Sequence, residues 1–125
     1  TPNAPAAVEP YSQAVKVGGF VFTAGQIGMD PETGKMAGAD IASQTTQALR
    51  NLRAILEAAG SSMTGVIKTT IFVDDMDDFA TVNAVYSEFL SDAGVETPPA
   101  RSTVEVAALP LGALVEIEAV AALDH

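Results

Sequence analysis

The stretch VIKTTIFV (66–73) is β-branched or aromatic at most positions and, apart from Lys68 and the threonines, apolar on both faces that a strand presents. A strand of that kind lies inside a sheet rather than at its edge. The reading therefore predicts a central strand, and the flanking sequence has to supply its neighbours and the layer that covers it.

Upstream of it, Thr45, Ala48, Leu49, Leu52, Ile55, Leu56 and Ala59 recur at steps of three and four, with Asp40 placed to cap the start and Gly60 to end the pattern. This predicts a helix with one apolar face, with Arg50, Arg53 and Glu57 largely off it. Further upstream, AVKVGGFVFTAGQI (14–27) holds two alternating runs around Gly18-Gly19, a pair suited to a tight hairpin turn. MDPETGKM (29–36) reads as a surface turn built on Pro31 and Gly34, and residues 1–8 as an extended arm.

Downstream, the acidic run DDMDDF (74–79) introduces a second helix with Phe79, Val82, Tyr86, Phe89 and Leu90 on one side, which ends at Gly94. The run lacks the alternating oxygen ligands and glycine of a calcium loop. The alternating segments RSTVEVAAL (101–109) and ALVEIEAVAAL (113–123), joined through Pro110 and Gly112, predict a C-terminal antiparallel hairpin. The expected order is β-β-α-β-α-β-β in a single α+β domain over residues 1–125, a mixed sheet with two helices packed on one face. Segments 20–27, 66–73 and 113–123 carry apolar residues on both sides, so the sheet face without helices is expected to be buried in a homo-oligomer.

Composition excludes several classes of chemistry. The 125 residues carry six Lys and Arg against 16 Asp and Glu, a net charge of −10, with no local basic cluster, so nucleic-acid binding is disfavoured. Cysteine is absent and the one histidine is His125, which removes disulfides, thiolate nucleophiles and multi-His zinc sites. No apolar run approaches the roughly 20 residues that span a bilayer, and no basic n-region with an apolar h-region opens the chain. These features predict a cytoplasmic protein without a membrane partner.

In TPPARSTVEVAALP (97–110), Arg101 follows a double proline and has no acidic neighbour in sequence closer than Glu105. It is either a strand-end arginine reaching to water, or a fixed guanidinium fork for a small carboxylate. Glu116 and Glu118, two apart in VEIEA, project to one face of their strand. They either keep an edge strand from pairing, or include a desolvated carboxylate that activates a water. Asn83 falls between Val82 and Tyr86 on the second helix's apolar stripe, where an amide needs partners, and Tyr11 is either core or the rim of a pocket. Gly25, in TAGQI (23–27), marks a bulge or a place where a ligand approaches the backbone. If the C-terminal hairpin is tight, with Leu109 opposite Ala113, Arg101 and Glu116 project to opposite faces. They then share a site only through a changed register, an irregular strand start or a neighbouring subunit.

The segments PYSQAV, VFTAGQI, DPETG, QTTQALRNLRAILEAAG, VIKTTIFVDDMDDFATVN, PPARSTVEVAALP and VEIEAVA resemble, in order and spacing over about residues 9–122, the RidA (YjgF) family of reactive-intermediate deaminases. The resemblance implies a chorismate-mutase-like fold, a homotrimer with sites in the clefts between subunits, and no metal or cofactor. It implies hydrolysis of enamines and imines such as 2-aminoacrylate and 2-iminobutyrate to 2-keto acids and ammonia. Arg101 matches the family arginine that binds the substrate carboxylate, and Glu116 the glutamate that holds the attacking water. Tyr11 and Asn83 match pocket positions, while Gly25 and Thr103 match positions whose backbone faces the ligand. Many members have Ser where this chain has Ala24 and Cys where it has Thr103, which bears on substrate range. The competing readings are a non-catalytic binder of small carboxylates and a holdase-like chaperone.

Overall fold

The computed structural model describes residues 1–8 and 10–123; His125 lies outside them. The predicted central strand is β4 (Val66–Val73), with neighbours at both edges. Before it come β1 (Ala14–Val17), β2 (Phe20–Thr23), the two-residue β3 (Gln26–Ile27) and α1 (Ile41–Ala58). After it come α2 (Phe79–Asp92), β5 (Ala100–Glu105) and β6 (Val115–Ala122). The sheet runs β1-β2-β6-β4-β5, with β3 also paired to β6, so the order is β-β-β-α-β-α-β-β and gains one short strand over the expectation.

The turn between β1 and β2 is the expected one, with Gly18 and Gly19 at φ 57° and 86°, a region an L side chain enters only with strain. Asp40 caps α1 by accepting from the Ser43 amide at 2.9 Å. Leu49, Leu52 and Leu56 of α1 are fully buried, and with Val82, Tyr86 and Leu90 of α2 they cover Val21, Ile71, Val73, Val115 and Ile117 on one sheet face. Both helices lie on that face. At the N-terminus, the Gln13 side chain donates to the carbonyls of Thr1 and Pro5 and gathers in the first residues, with Ala4 buried.

The C-terminal hairpin does not form. β5 runs parallel to β4, Thr69 beside Arg101 and Ile71 beside Thr103, whereas β6 runs antiparallel along the other edge, Ile71 beside Ile117 and Phe72 beside Glu116. β4 thus separates the two segments expected to pair. The crossover through α2 returns the chain parallel to β4, the connection a parallel pair needs. The link from β5 to β6 is longer than a hairpin loop and passes the end of β4, where the Val106 amide donates to the Val73 carbonyl and the Asp74 amide to the Leu114 carbonyl. Alternation identifies strands but does not say which edge each one takes.

Within the chain, among the described residues, nothing covers the sheet face opposite the helices. Val15, Val17, Phe20 and Phe22 stand on it, with Val17 60% and Phe22 46% exposed, and Val104 continues the apolar surface at the other edge.

Candidate functional site

Arg101 is the second residue of β5, separated from Pro98-Pro99 by Ala100, and stands beside Thr69 of β4. Its side chain leans over α2. The guanidinium Nη1 donates to Asn83 Oδ1 at 2.7 Å, and Cζ lies 5.5 Å from the Phe79 ring centroid and 5.3 Å from that of Tyr86. The Tyr86 hydroxyl meets Thr69 Oγ1 at 2.7 Å inside the core. Burial pushes the Tyr86 phenol above its ordinary value, against the smaller pull of the Thr69 hydrogen bond and the Arg101 charge, so the ring stays neutral under the cation. The cleft bounded by Asn83, Tyr86, Leu90, Pro98, Pro99 and Arg101 has a volume of about 460 Å³.

Asn83 does not sit in the apolar stripe as the spacing suggested. It is exposed, one position off the line of Val82, Tyr86 and Leu90, and spends its carbonyl on Arg101.

A second cleft, of about 290 Å³, is lined by Tyr11, Ala24, Gly25, Ile27, Pro110 and Glu116. It depends on a bulge. Phe22 pairs with Val120 and Gln26 with Ile117, so the chain advances four residues (22 to 26) against three on β6 (120 to 117). Thr23 Oγ1 occupies part of the gap by accepting from the Ala119 amide at 3.0 Å. The extra residue brings Gly25 against the Glu116 side chain so closely that a Cβ at position 25 would lie 2.5 Å from Glu116 Oε2. Gly25 is therefore a bulge glycine and a close-approach glycine at once. Burial raises the Glu116 carboxyl above the ordinary glutamate range, and the Glu118 charge adds to the rise.

The candidate residues fall into two groups. Arg101 and Asn83 meet at one cleft; Tyr11, Gly25 and Glu116 meet at the other. Arg101 pairs with Thr69 and Glu116 with Phe72, positions of opposite parity on β4, so the groups face opposite sides of the sheet. Thr103 follows Arg101 on the helix side, and its Oγ1 is buried without a hydrogen-bond partner among the described residues. The separation anticipated from a tight hairpin thus exists, produced instead by the intervening β4.

Phe79, Tyr86 and Thr69 were not singled out by the sequence as parts of a site. The signal lay in the spacing: 79, 83 and 86 stand four and then three apart on one side of a helix, two aromatic rings around an amide. Among the described residues, no group of three or more His, Cys, Asp or Glu could hold a metal ion, and no helix is long and apolar enough to cross a membrane.

The family model described as endoribonuclease L-PSP matches residues 1–123. The chain is 52% identical over 121 residues to the 2-iminobutanoate/2-iminopropanoate deaminase of Salmonella typhimurium, covering 97% of this chain and 93% of that one. It is 53% identical over 121 residues to the RutC family protein PH0854 of Pyrococcus horikoshii, with the same coverage. Among solved structures, the YjgF gene product of Escherichia coli superposes with a TM-score of 0.94 at 51% identity, covering 98% of this chain and 94% of that one. TdcF of the same organism, solved with bound serine, gives 0.95 at 45% identity over 99% and 96%.

Proposed function

As this chain belongs to the RidA (YjgF, L-PSP) family, we propose that it hydrolyses 2-iminobutanoate, 2-iminopropanoate and their enamine tautomers, 2-aminoacrylate among them, to 2-keto acids and ammonia. The observation that carries the reading is the state of Arg101. In a chain with 16 acidic side chains and six basic ones, its guanidinium is held by an amide and two rings, and no carboxylate among the described residues hydrogen-bonds to it. A cation fixed in this way suits an incoming carboxylate.

The reaction needs an anion clamp, a placed water and a proton carrier. Arg101 holds the substrate carboxylate, and Asn83 keeps the guanidinium in place. Glu116, ionised, takes a proton from the water as its oxygen bonds to the imine carbon and the π pair moves to nitrogen. The same carboxyl returns that proton to the nitrogen, giving a carbinolamine; it then takes the carbinolamine's hydroxyl proton and passes it to the nitrogen as the C–N bond breaks, so that the carbonyl forms and ammonia departs. Gly25 lets the Glu116 carboxyl lie against the backbone, Tyr11 stands at the rim, and Thr103 adds backbone groups beside the clamp. No metal or cofactor takes part in this scheme.

Because Arg101 and Glu116 face opposite sides of one sheet, the site is assembled between copies. The exposed apolar face packs within a homotrimer, and each cleft takes its arginine from one subunit and its glutamate from the next. The reading places the protein in the cytoplasm, where pyridoxal-phosphate enzymes acting on serine or threonine release such imines. The net charge of −10 argues against cleavage of RNA, whose phosphates it repels.

The test couples threonine dehydratase to this protein and follows 2-ketobutyrate against a competing imine trap. Wild type accelerates release, and Arg101→Ala loses about 100-fold in kcat/KM, as expected for about 2–3 kcal/mol of charge-assisted binding, while the oligomer persists. Full activity in that variant would sink the reading. Glu116→Gln separates turnover from mere carboxylate binding: it abolishes hydrolysis while keto-acid binding survives.

A further inference from the structure

We propose that Tyr86, anchored by Thr69, is a positioning residue that sets the direction of the Arg101 guanidinium. The inference rests on the assignment of Arg101 as the carboxylate clamp and concerns how a long, flexible side chain is aimed.

Thr69 is the point where three constraints meet. Its backbone runs beside Arg101 in the β4–β5 ladder, its hydroxyl meets the Tyr86 hydroxyl at 2.7 Å, and the Tyr86 ring lies under the guanidinium at 5.3 Å. The strand residue that fixes where the Arg101 backbone stands therefore also fixes the ring on which its head rests. Phe79 supplies a second ring at 5.5 Å, and Asn83 Oδ1 takes one guanidinium nitrogen at 2.7 Å. The fork keeps other N–H groups for a ligand, and a bidentate carboxylate bond is sensitive to the orientation of that plane.

Stability alone gives little reason for the hydroxyl pair. Thr69 is fully buried and Tyr86 is 4% exposed, in a hydrophobic cluster whose other buried members are Val, Leu, Ile, Ala and Met. Replacing both members of such a pair with apolar groups of the same shape is close to neutral for folding, whereas removing one strands the other. What the pair adds over Val and Phe is direction: a ring tethered at its far end cannot tilt or slide beneath the cation. Part of the arginine's rotamer freedom is thus lost before substrate arrives, and affinity improves accordingly.

The test compares Thr69→Val, Tyr86→Phe and the double variant with wild type and Arg101→Ala in the assembled protein. Thermal stability is followed by melting, and binding of 2-oxobutanoate and of its uncharged analogue 2-oxobutanamide by calorimetry. Each single variant is expected to melt earlier and to bind 2-oxobutanoate about fivefold more weakly, with 2-oxobutanamide unchanged and the loss appearing in KM more than in kcat. The double variant should regain the wild-type melting temperature but keep the weakened 2-oxobutanoate affinity, a separation that a purely structural pair does not produce. Recovery of both in the double variant overturns the proposal, as does wild-type affinity in the single variants. If a single variant does not fold, the double, which leaves no hydroxyl stranded, carries the same comparison. Wild-type 2-oxobutanoate binding by Arg101→Ala would instead remove the clamp itself, an outcome distinct from failure of the positioning pair.

Discussion

The closeness of Gly25 to Glu116 makes residue 25 as exacting as any residue with reactive atoms. In Gly25→Ala the new methyl meets the Oε2, Cδ and Cγ atoms of Glu116, the movable end of a side chain, so the carboxyl swings away and the fold stands. The expected result is a loss of about 100-fold in kcat with an unchanged melting temperature, since a misplacement of about 1 Å is enough for that. The pH profile reports on the same carboxyl. Burial first, and Glu118 second, hold its folded pKa above the unfolded value, so if Glu116 is the base, the rate falls at a higher pH than an ordinary glutamate would give. Glu118→Gln removes one cause and should move that acid limb to lower pH, measured as kcat/KM against pH. Linkage has the opposite sense for stability: a raised folded pKa contributes stability that is present below the unfolded pKa and is lost as pH rises through the folded one. Both residues were visible in the sequence as candidates. Their contact was not, because it depends on one inserted residue at the β2–β3 junction whose effect appears only once β6 lies alongside.

At the scale of elements, the strands and helices were largely legible and their neighbours were not. Alternation located β1, β2, β5 and β6 and the three-and-four spacing located both helices, because these periods follow from burying one face, while β-branched content located β4. The parallel pairing of β5 escaped, since a hairpin and a split around β4 present the same alternating pattern. β3 escaped because two residues carry no period. What holds β3 in place is Asn51 of α1, fully buried, whose Nδ2 donates to the carbonyls of Ile27 at 3.1 Å and Met29 at 2.8 Å while its Oδ1 accepts from Gln47 at 2.9 Å. Asn51→Ala removes all three bonds and should destabilise the protein by about 2–4 kcal/mol, read from urea unfolding. Activity should fall with it, because the bulge carrying Gly25 abuts the strand that Asn51 ties down.

For the whole molecule, the placement of Arg101 and Glu116 on opposite sides of the sheet yields a mixing experiment. Arg101→Ala and Glu116→Gln chains, each expected to retain little activity alone, are unfolded together in equal amounts and refolded. If each cleft draws one residue from each of two neighbours, about a quarter of the clefts in random assemblies receive both intact groups, and activity returns to about that fraction of wild type. A mixture as inactive as its components would mean that both residues serve within one chain. Composition spoke clearly at this scale, through the surplus of apolar strand residues over what two helices can cover, yet it could not say which residue stands on which side. The open apolar face has a further consequence for the quantity of protein. If a lone subunit carries only half a cleft on each side of its sheet, dilution below the dissociation constant of the assembly leaves folded but idle chains, and specific activity rises steeply with concentration until assembly saturates. A cell making such a protein sets its scavenging capacity through a threshold in expression, because the first copies made contribute nothing until they find one another.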